Sequence, residues 1–235
     1  MGLPDFFSEA EKQWGDLLKS KGLDYFRACE AEALTGQFDS LRLQLEPRAA
    51  RAFEESLRFD LGKIICEQHL GGFAVSLHLP GFRKVFAENA DAIDCFGTDD
   101  PAIWACTRFI TLCIDEVNAE LPSSEGVPLA FIFDCHSNWE VAERAYRVVA
   151  TLPRFASRFG SATHADDKKT PALQMADLCA YEARHLTLQR IGERDEKERI
   201  EFTCMDRADA FSRFVIVREQ ELLEDLQNWR ISNGE

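Results

Sequence analysis

Basic side chains are the scarce class in this chain. Its 235 residues carry 27 Lys and Arg against 41 Asp and Glu, a formal net charge of −14. Bulk electrostatic grip on nucleic acid depends on cations that neutralise phosphates, so this balance argues against it and leaves room only for local contact. No aromatic-plus-basic pattern of a single-strand binder is present either. C-x-x-C pairs are also missing, although there are eight cysteines, several inside apolar runs such as Trp104-Ala105-Cys106 and Leu112-Cys113-Ile114. That argues against structural zinc and disulfides, and for buried thiols in a reducing, cytoplasmic compartment. No secretory signal is expected at Met1–Phe7, which leads into an amphipathic helix, and no apolar run reaches membrane-spanning length. There is no glycine-rich phosphate loop, no G-x-S-x-G elbow and no H-E-x-x-H. Internal repeats and low-complexity linkers are absent too.

What the chain does have is core material. Forty-six per cent of it is hydrophobic and eighteen residues are Phe. A single packed domain over 1–235 is the simplest count, with 191–235 as an appended charged loop and C-terminal helix.

Local patterns predict alternating elements. Ser8-x-x-Glu11 is a capping box opening a helix to about Lys19, closed by Gly22. Tyr25–Cys29 reads as a short strand with Glu30 at its end, and Gly36 as a loop. Pro47 starts a helix that Gly71-Gly72 breaks. A strand over 73–78 and a short helix near 83–89 follow. Asp100-Pro101 caps a helix to about Leu121 that is apolar nearly all round, hence buried on more than one side. Leu129–Phe133 is a continuous apolar run, read as a central strand covered on both faces and ending at Asp134. A helix over 138–152, a strand over 158–163, a helix over 171–191 and a final helix over 209–229 complete the expectation. Strands alternating with helices define an α/β layer fold.

The chemistry-bearing stretch is His164 to Leu178. On a helix starting at Pro171, Ala172, Ala176, Cys179 and Ala183 form the expected core stripe. Gln174, Asp177 and Tyr181 then share an adjacent face. Asp166 and Lys168 lie on the loop leading in. Gln and Asp on a helix face are ordinarily solvated, so spacing alone decides little. Asp134 and Glu30 are further candidates, because acids at strand ends sit where α/β sheets bind ligands. Their plain alternatives are a helix-capping residue and a solvated loop acid. His136 and His164 lie near these acids, but isolated histidines are more often structural. Carboxylates from two strand ends and a facing helix form a hard-oxygen site for Mg²⁺ or Mn²⁺, which can activate water in phosphodiester cleavage.

The run Asp166-Asp167-Lys168-Lys169-Thr170-Pro171-Ala172-Leu173-Gln174-Met175-Ala176-Asp177-Leu178 resembles the D-S-K-x-S-x-x-L-Q-x-A-D-L pattern of the bacterial domain-of-unknown-function 3800 family. Asp167 and Thr170 replace its two serines. Phe26-Arg27-Ala28-Cys29-Glu30, followed by Gly36-Gln37-Phe38, resembles the family's F-H-A-x-E segment, with Arg27 in place of His. Phe131-Ile132-Phe133-Asp134 resembles its later strand.

The resemblance implies a ribonuclease-H-like mixed sheet flanked by helices, with a C-terminal helical extension. It also implies a metal-dependent nuclease activity on nucleic acid. Asp177, Asp134 and Glu30 would take the acid positions, and Asp166 and Lys168 the loop pair. The chain begins about where the family's first hairpin ends, so that hairpin's acid has no counterpart. A site short of a full two-metal set is therefore one expectation, and a catalytically degenerate binding or scaffold protein is the alternative. A sheet edge left open by the missing strand would be covered by a protein partner or a second copy.

Overall fold

The computed structural model describes residues 3–68, 70, 72–120, 127–135, 139–192 and 211–233. The chain is mainly helical, with short parallel strand pairs, an α/β composition. It gathers into two compact units. The first comprises Met1–Gly72 and Ala165–Arg213, the second Phe73–His164 and Phe214–Glu235.

In the first unit, α1 (Leu3–Ser20) starts ahead of the expected capping box. It buries Ala10, Trp14 and Leu18, one residue per turn along one stripe. Helix α4 (Pro47–Glu67) follows from Pro47 as predicted and buries Leu57, Leu61 and Ile64. The long α9 (Pro171–Arg190) packs against α1, α4 and the short α2 (Ala28–Ala33). Between α2 and α4 lie a single 3₁₀ turn, Gly36–Phe38, and α3 (Asp39–Gln44). Trp14, Phe26 and Phe38 meet edge to face at 6.1 and 6.4 Å, linking α1 to the segment before α2 and to the 3₁₀ turn.

Two expectations change here. Tyr25–Cys29 is not a strand: residues 25–27 join no ladder, Arg27 is extended, and the chain enters α2 at Ala28. Glu30 therefore sits inside a helix rather than past a strand end. The buried face of α9 is also rotated from the expected alanine stripe. Ala183 is buried as expected and Ala172 and Cys179 are partly buried, but Ala176 is exposed, while Gln174, Met175, Leu178, Glu182 and His185 are buried. Polar residues occupy that face because each has an internal partner. Arg58, itself 3 % exposed, pairs through Nε with Glu54 Oε1 at 2.6 Å and through Nη1 with Glu182 Oε1 at 3.1 Å.

The second unit begins with β1 (Gly72–Leu77), which pairs with β4 (Phe211–Val217). The His78 N–H extends that ladder by donating to the Val217 carbonyl at 2.9 Å. His78 Nδ1 then caps α5 (Leu79–Glu88) by accepting from the Gly81 N–H. After the unanticipated α6 (Ala92–Phe96) comes α7 (Pro101–Glu120). Its start is the Asp100 cap: Oδ1 accepts from the N–H groups of Ala102 and Ile103.

Helix α7 is buried on two sides, as its composition predicts. Ile103, Ile110 and Ile114 join Val149 and Phe155 in one cluster, while Trp104 joins Phe82 and Leu222 in another. β2 (Leu129–Asp134), α8 (Trp139–Ala150) and β3 (Phe159–Ala165) form a β-α-β crossover. A Cβ at Gly160 would lie 3.1 Å from the Leu129 carbonyl oxygen, so glycine permits the close strand approach.

β2 is not a central strand covered on both faces. Its residues alternate between partly buried and exposed, with Ile132 52 % exposed. Phe131 packs inward against Tyr146 and Phe159. A continuous apolar run had hidden a one-sided strand. The expected final helix over 209–229 is likewise β4 followed by α10 (Glu219–Asn233), and Asp209 lies outside the described residues. The expected charged loop over 192–199 and His136 lie largely or wholly outside them too. No described helix is long and apolar enough to cross a membrane, and the seven described cysteines form no disulfide.

Candidate functional site

Four of the five candidate residues, Glu30, Asp166, Lys168 and Asp177, belong to the first unit. Asp134 belongs to the second, at the end of β2. Around the first four, the L-Q-x-A-D motif works as a clamp on the segment 25–28. Gln174 is 2 % exposed. Its Oε1 accepts from the Trp14 indole N–H at 2.9 Å and from the Phe26 backbone N–H at 3.0 Å. Its Nε2 donates to the Asp167 carbonyl at 2.8 Å. Asp177, three residues on, is half-buried, and its Oδ2 accepts from the Ala28 N–H at 2.8 Å. That N–H opens α2, where a helix has no internal acceptor to offer. Gln174 and Asp177 thus fix the backbone donors at 26 and 28. This also explains why the 25–29 stretch needs no strand neighbour.

Glu30 lies in the first turn of α2. Its Oε2 accepts from the Tyr25 hydroxyl at 2.9 Å. Burial, followed by the hydrogen bond and charge of Glu30, pushes the Tyr25 phenol up to about 12. Gly36 makes room for this carboxylate. It adopts a left-handed φ of +60°, and a Cβ there would collide with the Glu30 side chain. Gln37 closes the loop by donating from Nε2 to the Tyr25 carbonyl and accepting the Asp24 N–H on Oε1.

The residue that spacing did not single out as a site is Arg27. Its Nε bonds Asp167 Oδ2 at 2.6 Å, and its Nη1 lies 3.7 Å from Glu30 Oε1. Burial opposes the charge on Arg27, but the hydrogen bond that it donates to Asp167, with the nearby acids, outweighs it and raises the pKa. Asp167 is 5 % exposed. Spacing along the sequence could not reveal this pair, because its two residues lie 140 positions apart.

Asp166 caps the 3₁₀ turn Asp167–Lys169 by accepting the Lys168 N–H at 3.1 Å, and it pairs with Lys169 at 3.3 Å. Lys168 Nζ stands 4.7 Å from the centroid of the Tyr25 ring.

These donors fit a divalent cation poorly. Among the described residues no three His, Cys, Asp or Glu side chains converge closely enough to hold one. The carboxylates of Asp167, Glu30 and Asp177 already face a guanidinium, a phenol and a backbone N–H.

No protein-family model, curated protein or solved structure matches the chain.

Proposed function

We propose that the chain is a catalytically degenerate binding or scaffold protein of ribonuclease-H-like fold, without the metal chemistry of such a nuclease. The observation that carries this reading is the Arg27–Asp167 ion pair. A fixed guanidinium between Asp167 and Glu30 supplies the positive charge that a metal ion would otherwise supply. The net charge of −14 favours a protein partner over a polyanion. A protein surface or a second copy has an open place to add. Among the described residues β2 pairs only with β3, and Ile132 points outward from that pair.

The test is thermal unfolding with and without Mn²⁺ for the wild type, Arg27→His and Asp177→Asn, alongside cleavage assays on single- and double-stranded DNA and RNA. The expected result is no metal-dependent shift and no cleavage in the wild type. Arg27→His, which removes the fixed guanidinium, gains a Mn²⁺-dependent rise. Metal at about 100 times its dissociation constant adds ~2.7 kcal/mol, or roughly 5–10 °C for a domain of this size. A wild-type shift of that size that disappears in Asp177→Asn, together with Mn²⁺-dependent cleavage, overturns the proposal.

That outcome would establish the second reading, a Mg²⁺- or Mn²⁺-dependent phosphodiesterase acting on nucleic acid. What favours this second reading is that Glu30 and the run that holds Asp166, Asp167 and Asp177, far apart in sequence, belong to one unit.

A further inference from the structure

The second unit contains a cleft lined by its own residues. Its volume is about 560 Å³, a size suited to a small organic ligand. Aromatic rings from three helices line it: Phe96 of α6, Trp104 of α7 and Trp229 of α10. Trp104 is braced edge to face on Phe96 at 6.1 Å and against Phe82 at 5.9 Å, and Trp229 packs on the same core cluster. The platform is therefore set by packing that exists without any ligand.

Cations share the cleft with these rings. Arg108 comes from α7 and Arg154 from the turn after α8. Neither forms an ion pair with a described residue. The single acid on the lining is Asp225, so the cleft is locally cationic within a chain of net charge −14. The Arg154 guanidinium rests over the Phe155 ring, 4.2 Å from its centroid, which restricts the side chain before anything binds.

A hydroxyl completes the set. The Thr107 Oγ1 is buried and has no hydrogen-bond partner among the described residues. Thr111, one turn along α7, donates instead to the Arg108 carbonyl at 2.9 Å. A buried hydroxyl left unpaired is costly, and a ligand acceptor would satisfy it. Cys95 adds no nucleophile: burial, then the charge of Asp225, pushes its thiol up to about 11, so it stays protonated at neutral pH.

We propose that this cleft binds a small anion carried on a flat aromatic body. Arg108 and Arg154 take a phosphate monoester or carboxylate, the Thr107 hydroxyl donates to it, and the ring lies against Trp229. Arginine suits both anions because its planar fork donates in pairs.

The experiment uses the full chain and its tryptophan emission. Adenosine 5′-monophosphate and 1-naphthoate are titrated separately, with adenosine and inorganic phosphate as the uncharged and ring-free controls. Saturable binding of one of the two aromatic anions, at least roughly tenfold tighter than either control, is expected, and which anion binds tells phosphate monoester from carboxylate. Arg108→Gln and Arg154→Gln, both exposed positions that leave the core intact, each weaken binding roughly tenfold. Trp229→Phe loses most of the emission change. Three results overturn the proposal: no saturation by either anion at millimolar concentration, binding of the better anion no tighter than that of either control, or unaltered affinity when Arg108→Gln and Arg154→Gln are combined.

Discussion

At the scale of single residues, the L-Q-x-A-D motif holds backbone in place, and that role is separable from metal binding. Gln174→Leu would leave the Trp14 indole N–H, the Phe26 N–H and the Asp167 carbonyl without their partner. Each buried group so stranded costs about 1–3 kcal/mol, so a total loss of roughly 3 kcal/mol or more is expected in urea unfolding. A loss under about 1 kcal/mol would mean that water replaces the amide. Asp177 gives a sharper contrast. Asp177→Asn keeps an acceptor for the Ala28 N–H and should cost less than about 1 kcal/mol, whereas Asp177→Ala removes the cap on α2 and costs about 1–2 kcal/mol. Equal losses in the two variants would show that the charge matters, not the hydrogen bond. The motif was visible in the sequence, but its geometry was not. Helical spacing put Gln174 and Asp177 on one face without revealing that Gln174 is buried, because its partners lie 148 and 160 residues away.

At the scale of elements, local signals decided what was legible. Asp100-Pro101 and Pro171 act on their own helices within a few residues, and α7 and α9 begin where those signals place them. Tyr25–Cys29 misled because its aromatic content favours a strand, whereas tertiary acceptors on α9 take its backbone donors. β4 was hidden inside an apparent helix because no Gly or Pro separates Val217 from Glu219; the break is made by Glu221, which accepts the Arg218 N–H at 3.0 Å.

Two contacts between elements carry predictions. Arg58 joins α4 to α9 between two fully buried carboxylates, so Arg58→Met should destabilise by roughly 3–5 kcal/mol. Replacing Glu54 and Glu182 with Leu in the same protein should recover most of that loss, since no buried charge then stays uncompensated. Failure to recover would assign the loss to packing. In the second unit, Arg230 of α10 grips Asp91 through two 2.6 Å hydrogen bonds and holds its carboxyl below the usual range. A depressed acid stabilises the fold above its unfolded pKa and loses that contribution as pH falls through the folded value. Arg230→Met should therefore lower the urea midpoint at neutral pH, and the gap to wild type should close in strong acid, below the ordinary carboxylate range. A gap that persists at every pH would point to lost packing of α10.

At the scale of the whole molecule, the excess of acid acts on stability as well as on partner choice. A chain carrying −14 repels itself, and folding brings those charges closer than the unfolded chain holds them. Exposed ion pairs such as Lys63–Glu67 and Arg147–Glu143 work in the opposite sense, but each contributes only about 0–1 kcal/mol and is screened as well. The Arg58 network is buried and responds little to salt. Raising NaCl from ~10 mM to ~150 mM shortens the screening length from about 30 Å to about 8 Å, so long-range repulsion fades while short contacts survive. The melting temperature should rise by a few degrees over that interval and then level off. A protein whose surface pairs dominated would show a fall. Substituting choline chloride for NaCl checks that screening is responsible: an equal rise in both salts means Coulomb repulsion, while a rise confined to NaCl means that Na⁺ is bound at a particular site. Mg²⁺ at matched ionic strength extends the same logic. An additional Mg²⁺ rise that is lost in Asp177→Asn would locate a bound cation in the first unit and return the acid cluster to metal chemistry. The same additional rise in both proteins would mean diffuse association with the acidic surface.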